Sequence, residues 1–362
     1  MLYCHLQSWI LLISLAGILA TQSLSLSMST IDTHRSLGAT ALRRHVLETG
    51  RKSAENTVDL PGVVWLEHIN LVVGSKAQAE AFYCDFLGFT VDSGTSFHRN
   101  LGQQQVHLAA NSEHPQRITG SVGLVVPSLE TLRSRVPAAM AALIGTLFGV
   151  DKDDAEEGYM TIVGPWGNIM HLYDLDLDNR QKPLSEDPRK MVKNHAEGGS
   201  YSASRMAVRG QPGIKYVEVA CKPGTVPAIA RFYEEMIGCT VTRVSEDKAI
   251  IDMGPGVHLA YVESRGLCHD DWQGMEGVHL CIYVNDFGGL YRRLANRDLV
   301  WTNQRFVHLD TCDTWEDAAA SRTLRFKDII DLETGEKLLE LEHETRPLTH
   351  GQFMKVPRYQ PV

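Results

Sequence analysis

One segment of this chain is written twice. Ala81-Phe82-Tyr83-Cys84-Asp85-Phe86-Leu87-Gly88-Phe89-Thr90-Val91 returns as Arg231-Phe232-Tyr233-Glu234-Glu235-Met236-Ile237-Gly238-Cys239-Thr240-Val241, at an offset of 150 residues. A repeat of this kind limits the architecture before any local reading, because each copy has an apolar face that must pack on another unit. Counting back fourteen positions from Phe82 and from Phe232 lands on His68 and Glu218, both inside short apolar runs. A residue type able to hold a metal therefore recurs with the scaffold.

The 362 residues are too many for one average domain and fit two. Lys+Arg 35 against Asp+Glu 44 gives a net charge of -9, which repels phosphate polymers and argues against nucleic acid as a partner. Seven cysteines stand singly with no CxxC pair, several of them in apolar runs, and read as small buried hydrophobes rather than a disulfide framework. Residues 1–20 hold an apolar run of secretory length, too short to span a bilayer, and read as signal-peptide-like. Residues 21–56 follow as a leader, rich in Ser, Thr and Arg, whose composition resembles a transit peptide or a disordered lead-in. The expected destination is the secretory pathway, with a secreted, lumenal or organellar endpoint such as a plastid, and no stable membrane anchor once the leader is removed.

From residue 63 the chain alternates short apolar runs with amphipathic helices. Residues 63–73 predict a strand, and 76–87 a helix with Ala79, Phe82, Tyr83 and Phe86 on one face and Gly88 as its C-terminal stop. Three more short strands complete a βαβββ unit. The same grammar starts again near 121, 214 and 277, so the expected fold class is α+β: four βαβββ modules forming two domains. Their expected limits are 63–175 and 214–345, with a linker at 176–213 and a tail at 346–362. Residues 304–325 form a long excursion and a candidate lid, and the acidic stretch 151–157 reads as a solvated loop.

Leu66-Glu67-His68-Ile69-Asn70-Leu71-Val72-Val73, then Ala81-Phe82-Tyr83 and Leu87-Gly88-Phe89, resemble the opening unit of the glyoxalase / vicinal-oxygen-chelate superfamily. The resemblance implies cupped mixed sheets, each built from two modules, with a divalent metal held by the opening and closing strands of a pair. For the second pair it implies Glu218, His258, His279 and Glu340 as ligands, with Glu218 or Glu340 also serving as catalytic base. For the first it implies a weaker set, His68, His107 and His171, with Ser121 at the fourth position. Two His and two Glu suit Zn, Ni, Mn or Fe(II). Tyr173, Arg322 and Arg325 are candidates for contacting substrate. Any one of these residues alone is more often a packed or hydrogen-bonded side chain than a ligand, and the argument rests on their coincidence.

Three functions follow as expectations. The first is a glyoxalase-like metal-dependent lyase or isomerase acting on a small oxygenated substrate that chelates the metal. The second is a ring-cleaving dioxygenase of the extradiol type, and the third a metal-free protein that binds a small molecule. Four modules can complete both sites within one chain, so no oligomer is required.

Overall fold

The computed structural model describes residues 62–110, 112–154, 158–177, 212–254, 256–267 and 273–353. The leader and most of the expected linker lie outside the described residues. Among these, no helix is long and apolar enough to cross a membrane. Cys84, Cys221, Cys239, Cys281 and Cys312 are free thiols, and all but Cys84 are buried, as their apolar surroundings predict.

The first module runs β1 (Val63–Val72), α1 (Lys76–Ala79, continuing as a π-helical stretch Glu80–Phe86), β2 (Thr90–Val91), β3 (His98–Leu101) and β4 (Gln104–Ala109). The second runs β5 (Gly120–Val126), α2 (Leu129–Ala142), β6 (Gly149–Asp154), β7 (Tyr159–Val163) and β8 (Ile169–Asp174). The third has β9 (Gly213–Cys221), α3 (Val226–Phe232, continuing as π-helical Tyr233–Ile237), β10 (Val241–Ser245), β11 (Lys248–Asp252) and β12 (His258–Glu263). The fourth departs from the pattern. After β13 (His279–Val284) and α4 (Phe287–Ala295) comes the excursion with a helix, α5 (Trp315–Ser321), and then only two strands, β14 (Leu324–Ile330) and β15 (Lys337–Pro347).

The repeated segment has the same ending in both copies. Gly88 and Gly238 take left-handed φ of 79° and 82°, and the next residue's N–H returns to the carbonyl of Tyr83 or Tyr233, a glycine-stopped helix end. Phe82, Tyr83 and Phe86 are buried, as are Phe232, Tyr233 and Met236, so the repeat preserves a core face. Of the acidic stretch 151–157 expected as a loop, residues 151–154 instead lie in the exposed edge strand β6, paired with β7 over Gly149–Asp154, and 155–157 lie outside the described residues.

The modules do not pair as neighbours in sequence. One sheet has the order β14-β15-β13-β1-β4-β3-β2 and joins the first module to the fourth. The other, β10-β11-β12-β9-β5-β8-β7-β6, joins the second to the third. In each, the two opening strands lie antiparallel at the centre, β1 on β13 and β5 on β9, with a closing strand parallel on either side. The expected domain limits 63–175 and 214–345 therefore cut across both sheets. Close approaches fix this pairing. At Gly120 (φ +147°) a Cβ would stand 2.0 Å from the Glu218 carbonyl oxygen, so only glycine lets β5 lie against β9. Gln104 ties the sheets together, donating to the Leu66 carbonyl (2.9 Å) and accepting from the Ile214 N–H (2.7 Å).

Candidate functional site

On the seven-stranded sheet, strict alternation would put Glu67 and His68 on opposite faces. A register shift between Leu66 and His68 in the β1–β13 ladder inserts one extra residue. Such a bulge re-aims side chains, and both groups reach the same polar cluster. The His68 Nδ1 lies 3.2 Å from Glu67 Oε2, and its Nε2 lies 3.8 Å from Glu344 Oε2. His279, on β13, places Nε2 3.5 Å from the same Glu344 oxygen. His68, His279 and Glu344 are all buried and can offer one ligand atom each within 4.8 Å of one another. Glu67, His68 and Cys281 form a second such group.

Two of these imidazole nitrogens, His68 Nε2 and His279 Nδ1, are buried without a hydrogen-bond partner. An unsatisfied buried polar atom costs about 1–3 kcal/mol; a cation beside Glu344 would satisfy His68 Nε2, whereas His279 Nδ1 faces Glu342 at 3.9 Å. The charges point the same way. Glu67, Glu342, Glu344 and Asp310 are four carboxyls packed against two guanidiniums, Arg325 and Arg346. Burial pushes the Glu344 carboxyl up, but Arg346 and Arg325 outweigh it and hold the group ionised well below the usual range. Burial pushes His68 and His107 far below the usual imidazole range, so both are neutral and able to act as ligands. The donor set fits a divalent cation.

A cavity of about 510 Å³ opens beside this cluster, with Glu67, His98, His107 and Arg346 on its floor and the 92–95 turn and Gln352 at its rim. Three imidazoles stack from the cavity inward: His98 on His107 at 3.5 Å, and His107 on His68 at 3.6 Å. Glu67 has its carboxyl raised by burial, offset in part by Arg346 and by the hydrogen bond from Tyr283. The excursion after α4 closes the other side. Asn303 donates to both oxygens of Glu342 (3.0 and 2.8 Å), and Phe306 sets its ring edge-on to His279 at 5.5 Å and against the Arg325 guanidinium at 4.6 Å.

The candidates from sequence are redistributed. His68, His107 and His279 meet on the seven-stranded sheet, although the sequence placed them in different pairs. Glu340 is on that sheet but not in the cluster. The β13–β15 register sets His279 against Glu342, and Glu340 lies two residues short of it, held by Lys327 (3.0 Å) and Lys337 (2.7 Å). Burial raises its carboxyl, but hydrogen bonds from Lys337 and Lys327 prevail and lower it. Arg325 does not offer a free guanidinium: it is 2% exposed and tied to Asp310, Glu342 and Glu344. Arg322 is the left-handed C-cap of α5 and donates to the Thr349 carbonyl, away from the cluster. The expected tail beyond 345 begins inside the site, since Arg346 binds both Glu67 and Glu344.

Glu218, His258, His171, Ser121 and Tyr173 belong to the eight-stranded sheet. There Ser121 faces Glu218 and Gly123 faces Tyr216 across β5 and β9. A Cβ on Gly123 would sit 2.3 Å from the Tyr216 ring, so the glycine makes room for this tyrosine. The Tyr216 hydroxyl lies 2.6 Å from His171 Nδ1 and 3.3 Å from the Tyr173 hydroxyl, and its ring stacks on His258 at 5.4 Å. Lys248 pairs with Glu218 at 3.2 Å. Among the described residues, no metal-type group of three forms on this sheet.

Residues 65–172 match the family model of the Glyoxalase/Bleomycin resistance protein/Dioxygenase superfamily. Among solved structures, a Bacillus subtilis protein provisionally named a dioxygenase is 12% identical, over 82% of this chain and 90% of its own, with a TM-score of 0.47. A glyoxalase I mutant from Zea mays is 10% identical over 78% and 93%, with a TM-score of 0.42. An extradiol ring-cleaving dioxygenase from B. fuscum is 14% identical over 81% and 73%, with a TM-score of 0.25. No curated protein matches the chain.

Proposed function

From a chain whose residues 65–172 match the Glyoxalase/Bleomycin resistance protein/Dioxygenase superfamily model, we propose a metal-dependent enzyme acting on a small oxygenated substrate, with His68, His279 and Glu344 as the metal-holding residues. The observation that carries this reading is the convergence of two buried imidazoles on one ionised carboxylate, with the unpartnered His68 Nε2 3.8 Å from it. Zn, Ni, Mn or Fe(II) each suit such donors. Bound there, the cation would polarise neighbouring substrate oxygens.

The surrounding residues supply the rest. The cavity lined by Glu67, His98, His107 and Arg346 gives a small substrate access to this side of the cluster, which suits a lyase or isomerase. Phe306 and Asn303 exclude water behind His279 and Glu342. The donor set itself favours a second reading, because two His and one carboxylate leave coordination positions open, as in ring-cleaving iron oxygenases. The leader reading of residues 1–56 stands as a proposal for an organellar or secreted location, tested by fusing those residues to a fluorescent reporter.

Elemental analysis of the full chain, followed by dioxygen uptake with catechols and isomerisation assays with thiol–dicarbonyl adducts, tests these readings. About one metal per chain with catechol-dependent oxygen uptake selects the dioxygenase. The same metal with proton exchange at carbon and no oxygen uptake selects the lyase or isomerase. A chain that neither holds nor gains metal overturns both and leaves the metal-free binding protein.

A further inference from the structure

We propose that Glu67 is a positioning residue: it accepts the Nδ1–H of His68 and thereby turns the Nε2 lone pair of that imidazole toward Glu344 and His279. This rests on the metal-site reading above. The β1 bulge alone brings Glu67 onto the face of His68, since two adjacent strand residues otherwise point apart. The Glu67 carboxyl is fully engaged. Its Oε1 accepts from the Tyr283 hydroxyl at 3.0 Å, and its Oε2 accepts from Arg346 Nη1 at 3.0 Å and faces His68 Nδ1 at 3.2 Å. With Nδ1 bound in this way, Nε2 is left as the unpartnered atom, 3.8 Å from Glu344.

The geometry also separates this role from direct ligation. The alternative group, Glu67, His68 and Cys281, would need the Cys281 thiolate, yet that thiol is 3.8 Å from Glu67 Oε2 as a hydrogen-bond donor. A carboxylate that orients a ligating imidazole and raises its basicity typically changes metal affinity 10- to 100-fold when removed.

The test uses the full chain and two readouts. In the metal-free protein, ¹⁵N–¹H NMR of the imidazoles reports the His68 tautomer. The parent should show Nδ1–H, Glu67→Ala should shift toward Nε2–H, and Glu67→Asp should restore part of the parent population. Titration with Zn(II) and Fe(II) should then show affinity lowered about 10- to 100-fold in Glu67→Ala and less in Glu67→Asp. Tyr283→Phe, which removes one anchor of Glu67 and keeps every charge, carries the same test should Glu67→Ala not fold. Parent metal binding with unchanged affinity and tautomer in the variants overturns the positioning role and leaves the metal site standing. Binding abolished by Glu67→Ala but untouched by His279→Ala overturns both, and so does a parent that binds no metal.

Discussion

Glu340, Glu342 and Glu344 recur at every second residue of β15, and their neighbours tell them apart. Two lysines hold Glu340 at the surface, Asn303 and Arg325 hold Glu342, and Glu344 meets both imidazoles. Glu344→Gln and His279→Ala should each abolish metal binding in a titration, whereas Glu340→Ala should leave it intact and change stability within about 1 kcal/mol. His343 points to the opposite face, where it bonds the Tyr233 hydroxyl at 2.9 Å and stacks on Phe326 at 4.5 Å. Burial pushes its pKa down to about 4, offset slightly by the hydrogen bond to the Leu341 carbonyl. Between the unfolded value, about 6.5, and that folded value the unfolded chain binds more protons, so stability falls as pH drops through this window. The loss should be on the order of 3 kcal/mol from this group and level off below the folded pKa. The slope of the urea midpoint against pH should flatten in His343→Gln, and an unchanged slope would assign the acid sensitivity to other imidazoles. His68, His107 and His279 were legible as ligand-type residues, whereas Glu344 was not, because periodicity of two cannot choose among glutamates spaced every second residue.

At the scale of elements, the site depends on two local irregularities, of which the sequence showed only the second, as the long excursion 304–325. One is the β1 bulge, which delivers Glu67. The other is the fourth module's exchange of a strand for the α5 excursion, which seats Phe306 and Asn303 behind the cluster. The first helix was legible, since Ala79, Phe82, Tyr83 and Phe86 fall on the buried face their spacing predicts. The strand contact at Gly120 makes a sharp prediction. With φ at +147° and the Glu218 carbonyl oxygen 2.0 Å from where an added methyl carbon would sit, Gly120→Ala should cost about 3 kcal/mol or more by chemical denaturation. A variant as stable as the parent would show that β5 and β9 can part without loss.

At the scale of the whole molecule, the first and last modules make one sheet and the middle two make the other. Cutting the chain within the linker should therefore yield two halves, each carrying one half of both sheets. Co-expressed, they should purify as a 1:1 complex that binds metal, and neither half alone should bind it. Independent monomeric halves, one retaining the metal, would contradict the pairing. The proposed metal-holding residues also come from distant parts of the sequence, His68 on β1 and Glu344 on β15, so the cluster forms only when the first and fourth modules share a sheet.

The sequence by itself determined the repeated module, its helix face and glycine stop and the α+β class, because these follow from local periodicity and from short-range backbone chemistry, and residues 65–172 carried the family resemblance. Tertiary structure alone decided which modules share a sheet. All four opening strands are similarly apolar, so their hydrophobic pattern does not choose partners; the close backbone approach at Gly120 admits β5 against β9, and Gln104 links the two sheets. That choice regroups the ligand-type residues: it gathers two imidazoles and a carboxylate on one sheet, and on the other it leaves Tyr216 bonded to His171 and stacked on His258.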